Sequence, residues 1–234
     1  MRIKDILLAL CVVIIWGVNF VIIKLGVTAL PPLLLGALRF VFVAFPAIFL
    51  FKRPKIPLKL LLIYGLTISF GQFAFLFCAL RVGMPAGIAS VILQSQAFFT
   101  ILLGAVILKE SLQPTHFIGM FIAIAGLGIL ANGATSGGID DIPLLGLIFI
   151  LVAGLSWAFG NITNRIIMQH QGEEKCSALS LVSWSALIPI IPFLLSSWIF
   201  EGEDAIVQGL AGFDWSVLGV ILYLAYLSTF VGYG

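Results

Sequence analysis

Charge is scarce in this chain: Asp, Glu, Lys and Arg make up 9% of its 234 residues, and the net charge is only +2. Soluble domains are roughly a quarter charged and about half apolar, whereas here the apolar share is 62%. No globule in water could hide so many Leu, Ile, Val and Phe side chains and still cover its surface with polar groups. Lipid is the solvent that fits. Nucleic acid is excluded as a partner, because the one dense basic run, Lys52, Arg53, Lys55 and Lys59, lies between two apolar stretches and reads as a topology signal.

Cysteine is equally sparse, with three in the chain. Cys11 and Cys78 fall inside apolar runs, so a disulfide framework is not expected, and Cys176 in a polar loop is expected to be a free thiol. Catalytic signatures are missing too. There is no G-x-x-x-x-G-K-S/T phosphate loop, which excludes ATP hydrolysis by this chain. His116 and His170 lack a metal-ligand spacing, and Gly154-Leu155-Ser156 lacks the second glycine of a nucleophile elbow. No Asp or Glu stands in the middle of an apolar run, so no carboxylate proton relay is visible. Neither enzyme activity nor a cofactor or metal is expected.

What is present is a series of apolar runs of membrane-crossing length, since about 20 helical residues cross ~30 Å of hydrocarbon. They cover 6–27, 33–51, 58–80, 85–108, 115–132, 144–168, 178–200 and 216–234. Breaks fall at Pro31-Pro32, Lys52 to Pro57, Arg81 to Pro85, Lys109 to Pro114 and Gly133 to Pro143. The first run follows Arg2 and Lys4 as a signal peptide would, but it is too long and has no small-residue cleavage pattern, so it reads as a retained span. Loop Lys and Arg residues gather on one face if the N-terminus is cytoplasmic, with Asp140, Asp141, Glu201, Glu203, Asp204 and Asp214 in loops on the other.

Something begins again after Gly133. Trp16, Asn19 and Lys24 in the first run are echoed by Trp157, Asn161 and Arg165 in the sixth, with tryptophan and cation eight residues apart both times. Pro46 and Pro192 make a weaker echo. Five runs separate the copies, an odd number, so the second copy is expected upside down relative to the first. By the same spacing a complete second copy would extend to about position 274, and the chain is expected to lack the end of it.

Several polar residues sit deep in these runs. Arg39, about two turns into the second run, is expected either to bind an anion in a cavity or, with the better base rate, to snorkel toward the outer headgroups. Asn19, Gln72, Gln94, Ser95 and Gln96 must face protein or water, because an unpaired amide in oil is costly. Gln94 and Gln96 are about 200° apart around a helix, so one should line a path while the other bonds a neighbour. Trp16 and Trp157, with Asn161 and Thr163 nearby, are candidate cavity residues or ordinary packing. Glu110 reads as the end of the fourth run, and the pairs Gly119/Ala123 and Ala86/Ser90 as sites of close helix approach.

The segments Trp16-Gly17-Val18-Asn19-Phe20, Leu38-Arg39-Phe40, Lys109-Glu110-Ser111-Leu112 with Gly119 beyond, and Ala125-Gly126 carry a resemblance. The sequence resembles the EamA-type transporters of the drug/metabolite transporter superfamily. The resemblance implies an all-α polytopic membrane protein, ten helices in two inverted five-helix repeats around a central cavity, with about eight helices represented here. Residues 1–133 would be the first repeat, 134–143 the loop between repeats, and 144–234 a second repeat cut short in its third helix. It also implies a secondary transporter of a bacterial-type inner membrane, its partners the lipid bilayer and a small-molecule substrate. That substrate would be an amino acid or derivative of the cysteine and O-acetylserine class, exported to the periplasm by alternating access. Trp16, Asn19, Gln72, Gln94, Gln96, Trp157 and Asn161 fall on the helices that line the cavity in this superfamily, and Arg39 and Glu110 match structural or gating positions at helix ends. One departure stands out: many relatives carry a proline midway along the fourth helix, where this chain has Gln94-Ser95-Gln96-Ala97. A membrane scaffold subunit without transport, or an exporter of other small metabolites or drugs, remain the alternatives, and the oligomeric state is open.

Overall fold

A computed structural model describes residues 3–133, 142–169 and 177–232. Apolar runs become helices because a helix satisfies every backbone N–H and C=O within itself, which oil requires. The first helix is Ile3–Ala29, the second Pro32–Leu50, the third Leu58–Arg81, the fourth Ala86–Ile107 and the fifth Pro114–Gly133. The sixth is Leu144–Gln169, the seventh Ala178–Phe200 and the eighth Trp215–Phe230. Proline marks the starts: Pro31, Pro57 and Pro85 stand at N-caps, and Pro32 and Pro114 open their helices, where a missing N–H costs nothing. Among the described residues, six helices are long and apolar enough to cross a membrane, and a seventh arises if the bent pair Glu203–Ala211 and Trp215–Phe230 counts as one span. Phe49, Phe121, Phe200 and Trp215 all point outward and exposed, as lipid-facing side chains do.

Four helices are interrupted. Pro189 cannot donate to the Ser185 carbonyl, so Ile188 N–H takes that acceptor at 3.2 Å and a turn separates Ala178–Ser185 from Ile190–Phe200. The third helix widens into a π-helical segment at Gly65–Gly71, and the eighth does the same at Tyr223–Val231. In the fourth, the chain tightens at Gln94 and Ser95, whose N–H groups bond Val91 and Ile92 carbonyls three residues back at 3.1 and 2.9 Å. The fourth helix therefore breaks at Gln94 and Ser95 without a proline there. Gly154 of the sixth helix permits this: a Cβ there would lie 3.1 Å from Ser95 Oγ and 3.4 Å from Gln96 N.

Packing follows a paired pattern. The first helix packs on the eighth as the sixth packs on the third, and the second packs on the seventh. At the second–seventh crossing, Phe193 sits against Gly36, where an added Cβ would overlap its ring. Phe193 also stacks on Phe40 with centroids 5.8 Å apart and meets Phe70 edge-on at 4.9 Å.

Three expectations are corrected. The acidic stretch after the seventh helix is not all loop: Glu203–Ala211 is a helix bent 105° from the one that follows, with Gly209 packed on Pro31. Its fellow acid Glu201 turns inward, accepting from Leu33 and Leu34 N–H at 2.7 and 3.2 Å and from Ser197 Oγ at 2.6 Å, and so caps the otherwise side-chain-free start of the second helix. Gly119 does not mark a close approach, since a Cβ there would meet nothing within 4 Å; the tight positions are Gly26, Gly36, Gly65, Gly71, Gly160, Gly209 and Gly232. Arg39 does not snorkel: it is 0% exposed, its Nη2 donates to Thr229 Oγ1 at 3.0 Å, and its guanidinium lies 3.8 Å over the Phe73 ring. Cys11 and Cys78 are free thiols, while Cys176, His170 and most of 134–143 lie outside the described residues.

Candidate functional site, a cavity at the seam of the first and sixth helices

Between the first, third, fourth and sixth helices lies a cavity of about 730 Å³, the size of a small-metabolite pocket. Trp16 and Trp157 stand on its wall, one from each side, edge to face with centroids 6.2 Å apart and planes at 73°. Asn19 comes from the first helix, Gln72 from just past the π-helical segment of the third, and Gln94 and Ser95 from the break in the fourth. The irregular segments of the third and fourth helices thus deliver polar side chains to the same space. Among the described residues no charged side chain lines it.

Of the seven residues expected on the cavity, the structure brings five together there: Trp16, Asn19, Gln72, Gln94 and Trp157. Gln96 and Asn161 sit instead behind the wall. Asn161 Nδ2 donates to Gln96 Oε1 at 2.9 Å and to Thr100 Oγ1 at 3.2 Å, joining the sixth helix to the fourth. Gln94 and Gln96 accordingly divide the roles that their angular separation requires. Thr163 back-bonds to the Phe159 carbonyl at 2.8 Å, and Ser156 donates to the Thr67 carbonyl at 2.9 Å in the π-helical segment, so both serve the scaffold.

Glu110 and Arg165 form a two-pronged ion pair at 2.6 and 2.9 Å between the fourth-helix end and the sixth helix, about half exposed. Lys109, at φ 56°, makes the left-handed turn that aims Glu110 there. At the opposite end, Lys24 Nζ donates to the Leu80 carbonyl and Arg81 Nη1 to that of Val27 at 2.7 Å, locking the first helix to the third. Arg39 is not on the cavity wall, but Phe73, whose ring it covers, lines the cavity.

Sequence reasoning missed Phe20, Phe73, Phe98 and Ser228 on the wall. With 20 phenylalanines in a chain this apolar, nothing in the local pattern separates a cavity-facing ring from a lipid-facing one.

Apolar helices of membrane length around a wide cavity with amide-bearing walls define a polytopic helical membrane transporter. Residues 3–132 match the EamA-like transporter family. Over 99% of its length the chain is 54% identical to a probable amino-acid metabolite efflux pump of Salmonella typhimurium and 51% identical to one of Escherichia coli, spanning 76% of each. It is 30% identical, over 64% of its length and 49% of the other's, to an uncharacterized inner membrane transporter of Escherichia coli. The chain belongs to the EamA-like transporter family, and it is a transporter rather than an enzyme.

Proposed function

We propose that this protein exports small amino-acid metabolites of the cysteine and O-acetylserine class from the cytoplasm to the periplasm across a bacterial inner membrane. The N-terminus is cytoplasmic in this reading, and transport proceeds by alternating access. The observation that carries it is the cavity itself: about 730 Å³, with tryptophan and amide side chains on its wall and, among the described residues, no charged ones. Such a wall suits a small polar solute without net charge. Relatives at 54% and 51% identity are named as probable amino-acid metabolite efflux pumps, which supports the substrate class.

Residues 1–133 and 144–234 are read as two inverted repeats joined by 134–143. Supporting this are the π-helical segments in the third and eighth helices, the matched first–eighth and sixth–third packing, and the self-matched second–seventh crossing. Rocking of one unit against the other would separate Trp16 from Trp157 and break exposed contacts such as Glu110–Arg165, which makes that pair a gate latch.

The test is the extracellular metabolite profile of cells overproducing the protein against an empty control. Enrichment of amino-acid metabolites is expected, and it should fall severalfold with Trp16→Ala or Gln94→Ala while the amount of protein in the membrane is unchanged. A profile identical to the control would instead favour a scaffold subunit.

A further inference from the structure

Phe73 stands between two spaces. It lines the large cavity, and it also lines a void of about 20 Å³ shared with Arg39, Ser69 and Thr229. Arg39 is fully buried there, its guanidinium 3.8 Å from the centre of the Phe73 ring and 5.4 Å from that of Phe40. The two rings meet each other edge to face at 5.9 Å. From the same guanidinium, Nη2 donates to Thr229 Oγ1 at 3.0 Å. The Thr229 hydroxyl gives its own proton to the Leu224 carbonyl at 2.9 Å, which leaves its oxygen to accept. Thr229 belongs to the π-helical segment Tyr223–Val231, and its neighbour Ser228 lines the large cavity. Ser69, on the same void, belongs to the π-helical segment Gly65–Gly71 that leads into Gln72 and Phe73. One side chain of the second helix thus touches two pieces of structure that carry the cavity wall.

We infer that Arg39 is a positioning residue: without reaching the solute, it holds Phe73 and Ser228 in their places on the wall and so sets the shape of the site. This rests on the transport reading above and adds to it a residue that acts from behind the cavity. The void beside Arg39 is far too small for a metabolite, so its influence on one runs through the wall. π-helical segments are rare and occur mostly at functional sites, and Arg39 meets residues of one and shares the void with a residue of the other. A guanidinium suits this place because it stacks on ring faces while an N–H of its fork reaches a hydroxyl. A lysine ammonium would bring the charge without the plane or the fork.

The experiment puts a reporter on the wall. In a protein whose Cys11, Cys78 and Cys176 are changed to alanine, Ser228→Cys should react slowly with a water-soluble methanethiosulfonate, because position 228 is 2% exposed. Arg39→Lys should speed that reaction about tenfold, the effect of a lost charged hydrogen bond on an opening equilibrium. Thr229→Val keeps the shape and removes the acceptor, so it should act in the same direction, and it decides the matter if Arg39→Lys does not fold. Glu201→Gln weakens the cap at the start of the same second helix and should leave the rate as it was. A rate unmoved by Arg39→Lys and Thr229→Val, or raised as much by Glu201→Gln, overturns the positioning role. Binding of O-acetyl-L-serine to the purified protein, followed by tryptophan fluorescence, should weaken severalfold with Arg39→Lys and with Thr229→Val. Wild-type affinity in both variants overturns the role in the site. If labelling responds as expected while the unaltered protein binds no O-acetyl-L-serine, the substrate reading falls and the positioning role stands.

Discussion

Two places deep in the molecule hold polar groups, and they are treated in opposite ways. Around Arg39, at the second–third helix contact, the protein supplies partners: Thr229 accepts from the guanidinium, and Phe40 and Phe73 lend their ring faces. Around the cavity, at the first–sixth helix seam, it withholds them from Asn19, Gln72 and Ser95. The same cost of desolvation is offset by partners within the fold in one place and left standing in the other. A buried polar residue in a membrane protein is therefore read by what completes it, not by its burial.

The largest effect that can break this comparison comes from Arg39. Arg39→Ala removes a fully buried side chain, its bond to Thr229 and its contact with Phe73, and should lower stability by about 3 kcal/mol or more. Gln72→Met should stay within about 1 kcal/mol of the wild type or stabilise it, because it replaces an unpartnered acceptor. Thermal unfolding in detergent reads both, and equal losses would erase the distinction. Next is Gly36→Ala, whose methyl would press on the Phe193 ring held by Phe40 and Phe70; a loss of about 1–3 kcal/mol in the same assay is expected, and none would mean that the aromatic cluster yields easily.

Smaller still is Glu201→Gln, which keeps the shape of the second-helix cap and removes its charge. About 1 kcal/mol should be lost, measured as a lower midpoint on heating. The smallest effect concerns pH at Asp214, the exposed N-cap of the eighth helix. Bonds from the Ser216 hydroxyl, then from the Val217 and Ser216 N–H groups, hold its carboxyl below the ordinary value. Since the folded state prefers the ionised form, its contribution is full above the ordinary carboxylate range and fades as pH falls through the lowered folded value. Asp214→Asn should flatten that part of the acid-unfolding curve; an unchanged curve would show the cap to be idle.

Much of this was legible in advance. Helix positions followed from runs of apolar residues and from prolines, because backbone satisfaction in oil leaves helices as the solution for such runs. Trp16 and Trp157 could be linked through their matched spacing to a cation, and they meet edge to face. The 200° between Gln94 and Gln96 foretold that they would part, although not which would go where. Arg39 was misplaced because insertion cost near a helix end says nothing of an aromatic and hydroxyl partner 190 residues away at Thr229. The helix Glu203–Ala211 was hidden because its acids suggested a loop, whereas Glu203 and Asp204 occupy a first turn that favours negative charge.

By itself, the sequence determined the solvent and the segments that cross it and singled out the two tryptophans by their matched spacing, since these depend on composition and on spacing along one helix. Only the tertiary structure decided which amides are satisfied and which are left open. A hydrogen bond between helices depends on distance across the fold, and no periodicity within a single helix encodes it.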